Sequence, residues 1–99
     1  MNPDARNPYL RTMADDELGP FRQLIHEVIE GERPEGRDFD ACRAVFLSEP
    51  SSQGGFQALC MLLEGLLADP DLPIDDTHTV VRLLKALAHG TVQPQELVP

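Results

Sequence analysis

Hydrophobic positions along this chain recur at spacings of three and four residues, which is the period of an amphipathic helix. In the clearest segment, a proline at the first helical position and a glycine after the last one predict a helix from Pro20 to Glu30. We predict that the preceding turns, MADDEL, are separated from it at Gly19, because proline interrupts helical hydrogen bonding. The predicted core side contains Leu18, Phe21, Leu24, Ile25, Val28 and Ile29.

A second helix is predicted to begin at Asp38, whose side chain can cap a helix start, and to end near Ser48. The same stretch also fits a strand, but no second alternating segment in the chain could pair with it, so we favour the helix. The predicted inward side of this helix consists of Phe39, Cys42, Val45 and Phe46.

Two more helices complete the pattern. One follows the SSQGG turn and covers residues 56–68. The other starts at Asp75 or Asp76 and ends at His89, where Gly90 provides the stop. The fold class predicted from these segments is all-α, a small bundle of about four helices.

The 99 residues suffice for a single helical domain with one modest core, because a chain of this length buries roughly two thirds of its unfolded surface. Residues 1–11 contain two Asn-Pro steps and are predicted to form a flexible, extended N-terminal arm. Residues 91–99 are predicted to form a tail with one docking turn. Because we find no secretory signal and no apolar run of the roughly 18 residues that a membrane span needs, we expect a cytoplasmic protein without membrane contact.

The third helix, with the sequence FQALCMLLEGLLADP, is apolar on nearly every side. At about 100° per residue, its predicted core side is formed by Phe56, Leu59, Cys60, Leu63, Leu66 and Leu67. A second apolar sector is formed by Ala58, Met61, Leu62 and Gly65. Either the other helices wrap this helix as the centre of the bundle, or the second sector is an interface with a partner protein or a second copy of the chain. The second interpretation predicts a homodimer, a complex with a different protein, or both.

The last helix has two contrasting sides. Its inward side is predicted to contain Val80, Val81, Leu83, Leu84, Leu87 and Ala88. Its outward side carries a basic strip formed by His78, Arg82, Lys85 and His89. On a chain with 17 acidic and 8 basic residues, this strip is a candidate secondary interface for an acidic partner surface, or else a solvated strip that pairs weakly with the chain's own carboxylates.

Composition and motifs narrow the function classes. The formal net charge of −9 repels nucleic acid, so direct nucleic-acid binding is not expected. Cys42 and Cys60 lie in apolar segments and are predicted to be buried free thiols. The segment HEVIE lacks the second histidine of a zinc-protease helix, and the segment SSQGGF lacks the Gly-Lys ending of a phosphate loop. The two histidines of the last helix are too far apart in sequence to bind one metal ion. We therefore predict no catalytic residue, metal site, cofactor or enzyme activity.

Three segments together resemble the QslA-like quorum-sensing anti-activators of pseudomonads, namely ELGPFRQLIHEVIEGERPEG, GGFQALCMLLEGLLADP and VVRLLKALAHG. The resemblance implies a dimeric helical protein that binds the ligand-binding domain of a LuxR-type (LasR-like) transcription factor. It implies further that the protein blocks dimerisation of that activator and so its DNA binding. A second apolar sector suits such a mechanism, because a helix that displaces a homodimer contact must present apolar surface.

Two other function classes fit the same residues. An acidic DNA-mimic inhibitor would occupy a basic groove, and its affinity would fall steeply with salt. The carboxylates available for this role are Asp15, Asp16, Glu17, Glu27 and Glu30. A secretion chaperone would bind an extended segment, which normally requires strands that this sequence offers poorly.

Overall fold

The computed structural model describes residues 15–31 and 33–98, and no strand occurs within these ranges. Both the predicted all-α bundle and the choice of helix over strand for the second segment are therefore confirmed. The predicted N-terminal arm, residues 1–11, lies outside the described residues. The elements in chain order are α1 (Asp15–Glu30), α2 (Arg37–Ser48), α3 (Gln53–Leu67), α4 (Ile74–His89) and a short 3-10 helix (Pro94–Leu97).

Helix α1 continues through Gly19 and Pro20, so the predicted break at this step is wrong. Proline usually disturbs a helix because its ring crowds the preceding residue and leaves the carbonyl four residues earlier without a donor. Gly19 has no Cβ for the ring to meet, and Pro20 is exposed, so water can solvate the carbonyl of Asp16. The predicted core residues of α1 are buried, with Ile29 only partly so.

The acidic residues predicted to cap helix starts lie inside the first turn instead. Helix α2 begins after Gly36, whose φ of 130° favours glycine, and this places Asp38 within the helix. Helix α4 begins after Pro73, so Asp75 and Asp76 occupy its first turn. These carboxylates still stabilise the helices, because they lie near the positive end of the helix dipole.

The helices are arranged around the core in the order α1, α2, α3, α4. Helix α3 packs against α2 and α4, and α4 packs against α1. Arg43 joins α2 to α1, because its Nε donates a hydrogen bond of 2.9 Å to the Val28 carbonyl and its guanidinium also donates to the Pro34 carbonyl. Val28 lies in the last turn of α1, where carbonyls lack helical donors, so Arg43 satisfies one of them.

The core contains apolar side chains from all four helices and from the segment after α4. The inward predictions for Val45 of α2 and Ala88 of α4 are wrong, because both residues are exposed, while Ala86 lies in the core. The largest fully buried side chains are Phe21, Phe46, Ile25, Leu59, Leu62, Leu63, Leu83, Val80 and Val92.

The segment after α4 folds back onto the bundle. Gly90 ends α4 in the left-handed conformation, with a φ of 74°, as the sequence predicts. The 3-10 helix then packs against α1 and α3, with Pro94 and Leu97 buried. Arg22 of α1 donates a hydrogen bond of 3.0 Å to the Glu96 carbonyl, so α1 and the chain end are joined.

Candidate protein-interaction surface

Two of the four residues predicted for the interface, Ala58 and Leu62, lie in the core of the chain itself. Leu62 is 0% exposed, because α2 and α4 cover α3 from two sides. A side chain without exposed surface cannot contact a second protein while this fold is intact. The prediction that Ala58 and Leu62 are contact residues is therefore wrong, and the central-helix alternative describes this side of α3.

Gly65, the third predicted interface residue, permits close packing inside the chain. A Cβ at this position would lie 2.6 Å from Cε1 of Phe39 and 3.1 Å from Cβ of Pro34, so glycine leaves room for the Phe39 ring. A small residue such as Gly65 indicates that another helix approaches closely. In the structure that helix is α2 of the same chain, which contains Phe39. The expected partner contact at Gly65 is therefore replaced by an intramolecular one.

Met61, the fourth predicted interface residue, is 48% exposed. Its sulfur lies 3.9 Å from Sγ of Cys42, which places it on the seam between α2 and α3. The exposed Val45 lies along the same seam, beside Gly54. Two apolar side chains form only a small patch, and scattered exposed apolar residues need no partner to explain them.

Another apolar surface lies on the other flank of α3 and the adjoining flank of α4. Six apolar residues form this surface. Leu67 is 37% exposed, Ile74 is 66% exposed, and the other four side chains are half-buried. All except Ile74 are predicted from the sequence to face the core. Phe56 and Leu84 do pack against the core, whereas the exposure of Leu67 is a correction. We call this set the α3–α4 face; it consists of Phe56, Cys60, Leu67, Ile74, Val81 and Leu84.

The two halves of this face meet along the seam between α3 and α4. Gly65 marks the flank of α3 that is turned to α2. Arg82 lies 5.7 Å from the centre of the Phe21 ring and marks the flank of α4 that is turned to α1. Because α3 and α4 pack against each other, their remaining flanks adjoin on the outside of the bundle.

The residues of the α3–α4 face also lie at similar distances along the two helices from the connection between α3 and α4. Cys60 precedes Leu67 by seven residues and Val81 follows Ile74 by seven, so each lies about 10 Å from the connection between α3 and α4. The apolar surface therefore begins at this connection and extends past the middle of both helices.

A basic strip borders the α3–α4 face on α4. It consists of the four residues predicted from the sequence, all of them exposed, which are His78, Arg82, Lys85 and His89. Lys85 follows Val81 by four residues and His78 follows Ile74 by four, so these two basic residues are surface neighbours of members of the face. Within residues 15–31 and 33–98, neither Arg82 nor Lys85 forms an ion pair with a carboxylate. The α3–α4 face therefore adjoins the basic strip at His78 and Lys85.

Both cysteines are free thiols, as predicted. Cys42 is buried, whereas Cys60 in the α3–α4 face is only half-buried. Burial raises the pKa of the Cys60 thiol above its usual value, and the Glu64 carboxylate raises it further. Cys60 is therefore a neutral side chain at physiological pH and contributes apolar surface.

Comparisons with protein-family models, with curated proteins and with solved structures give no match for this chain. In the part of the chain that the structure describes, no group of three or more His, Cys, Asp or Glu side chains could hold a metal ion. No helix in that part is long and apolar enough to cross a membrane. The α3–α4 face and the basic strip are the features from which we infer a function.

Proposed function

We propose that this chain is a small acidic regulator that binds another protein through the α3–α4 face and covers a surface which that protein needs. The observation that supports this proposal is the exposure of Leu67 and Ile74 beside four half-buried apolar side chains. Contiguous apolar surface is unfavourable in water and is typical of interaction sites. Binding of this kind requires neither a cofactor nor a chemical step.

The partner that we propose is the ligand-binding domain of a LuxR-type (LasR-like) transcription factor, as the resemblance to QslA-like anti-activators implies. Two helices with an apolar outer face can replace one half of a helical homodimer contact. The activator would then remain a single subunit. Because paired DNA half-sites are bound by dimers, loss of dimerisation would also prevent DNA binding and quorum-sensing transcription.

The DNA-mimic alternative makes a different prediction about salt. Asp16, Glu17, Glu27 and Glu30 of α1 are exposed, but binding through them would weaken steeply as ionic strength rises. Binding through the α3–α4 face depends mainly on apolar contacts and would change much less. A secretion chaperone would need a strand edge, and the described residues include no strand.

Light scattering on a mixture of this chain with a LasR-like ligand-binding domain tests the proposal. We expect a heterocomplex at the expense of the activator homodimer. Leu67→Glu should weaken the complex by about tenfold or more, because a charge buried without a partner is costly in an interface. Leu47→Glu should bind like the unchanged chain. Leu47 is a matched control, because it is also exposed, at 48%, but follows Arg43 by four residues and so lies on the α1 side of α2.

The proposal is wrong if no heterocomplex forms or if the two glutamate variants bind equally well. Both variants should keep the helical circular-dichroism signal, since both positions are exposed. The same light-scattering measurement on the chain alone tests the predicted homodimer. A stable 11.0 kDa species at about tens of micromolar, a concentration suited to interfaces of moderate affinity, would contradict the homodimer.

A further inference from the structure

We infer that the α3–α4 face binds an acidic amphipathic helix of the partner, with the apolar side of that helix on the face and its carboxylates on the basic strip. This inference rests on the proposed function and adds the chemistry of the partner segment.

The basic strip carries positive charge, whereas the net charge of the chain as a whole is negative. The formal net charge is −9, yet the four strip residues follow one another along one side of α4. Arg82 and Lys85 form no ion pair within the described residues, so their charges are available to carboxylates of a partner. The negative charge elsewhere does not cancel this attraction at contact distance, because physiological salt screens exposed charges beyond about 8 Å.

Arg82 is held at the edge of the basic strip that is turned to α1, the edge farther from the α3–α4 face. Its guanidinium carbon lies 5.7 Å from the centre of the Phe21 ring, a distance at which a cation interacts with the ring. An arginine that is ordered beforehand loses less conformational entropy when it binds a partner. Because a guanidinium can donate to both oxygens of one carboxylate, the contact favours Asp or Glu on the partner.

The spacing of the strip favours a helix as the partner element. From His78 to His89 the strip residues follow one another at intervals of four, three and four, so they lie in a line along α4. This line is about 16 Å long, which about three turns of a docked helix would cover. Carboxylates at the same spacing on that helix would each approach one strip residue while their apolar neighbours pack on Val81 and Cys60.

Fluorescence anisotropy with two labelled synthetic peptides of about 15 residues tests the inference. One peptide carries leucine on one side of its helix with glutamate beside it at three-and-four spacing, and the other carries lysine in place of each glutamate. The glutamate peptide should bind at least about tenfold more tightly. Lys85→Glu should weaken its binding by about threefold to tenfold.

Arg37→Glu is the matched control, because it makes the same change in net charge at an exposed position that starts α2, the helix opposite α4. It should leave the affinity of the glutamate peptide within about twofold, since screening confines the effect to nearby charges. Equal affinity for the two peptides, equal effects of the two variants, or no binding of the glutamate peptide would each overturn the inference.

The outcomes also separate this inference from the proposed function. A chain that binds the LasR-like domain through Leu67 without preferring the glutamate peptide would refute the acidic helix and retain the docking surface. A chain that prefers the glutamate peptide but does not bind the LasR-like domain would refute that partner and support the acidic helix.

Discussion

Leu62→Ala is expected to lower the free energy of unfolding by about 2–5 kcal/mol, the range for truncating a buried leucine. Leu62 is fully buried in the central helix, so truncation leaves a cavity that the neighbouring side chains fill only in part. Urea unfolding followed by circular dichroism measures this loss.

Met61→Ala, at the preceding position of α3, is the matched control for the cavity. About half of the Met61 side chain is already in water, so the same measurement should show a loss below about 1 kcal/mol. Comparable losses for the two variants would contradict the assignment of Leu62 to the core and of Met61 to the surface.

Gly55→Ala is expected to destabilise the fold by about 1–3 kcal/mol, because a methyl group does not fit where α3 begins. A Cβ on Gly55 would overlap the Glu49 carbonyl oxygen and lie 2.9 Å from its carbon. This backbone cannot move freely, since the Ser52 hydroxyl accepts a hydrogen bond of 2.9 Å from the Gly55 N–H and donates one of 2.8 Å to the Glu49 carbonyl. Thermal unfolding measures the expected loss.

Gly54→Ala tests the same substitution one residue earlier in the same helix. A Cβ there would meet Ser52 Oγ at 3.7 Å and Val45 Cγ1 at 3.8 Å, which are ordinary contacts. Alanine restricts the unfolded chain more than glycine does, so this variant should gain about 0.4–1 kcal/mol. Opposite signs for the two glycines are the expected result, and a gain for Gly55→Ala would show that the turn before α3 does not approach the helix this closely.

Helix existence and the end of α4 could be predicted from the sequence because their causes are local. Gly90 ends α4 through its own backbone conformation. The start of α3 was missed, because the sequence pattern predicts this helix from residue 56 and the structure begins it at Gln53, after a cap by Ser52. The predicted break in α1 failed because the effect of Pro20 depends on which neighbour its ring meets, and Gly19 relieves that contact.

The exposed face of α3 could not be predicted from that helix alone. Because α3 is apolar on both flanks, its sequence does not show which flank another helix covers. That choice is made by tertiary contacts, such as the Phe39 ring over Gly65. The basic strip was easier to place, since an unpaired Arg82 or Lys85 would be costly to bury and therefore faces solvent.

The labelling rate of Cys60 by a maleimide, with and without the LasR-like domain, tests the docking surface most directly. This native thiol lies in the middle of the α3–α4 face, while the buried Cys42 serves as an internal control. Because the thiolate reacts and the pKa of Cys60 is raised, labelling should accelerate as pH increases and is best followed at mildly alkaline pH by mass spectrometry. Docking on this face should slow Cys60 labelling by about tenfold or more, since the centre of an interface excludes solvent. An unchanged rate with the activator domain at saturation would contradict the assignment of the α3–α4 face as the docking surface.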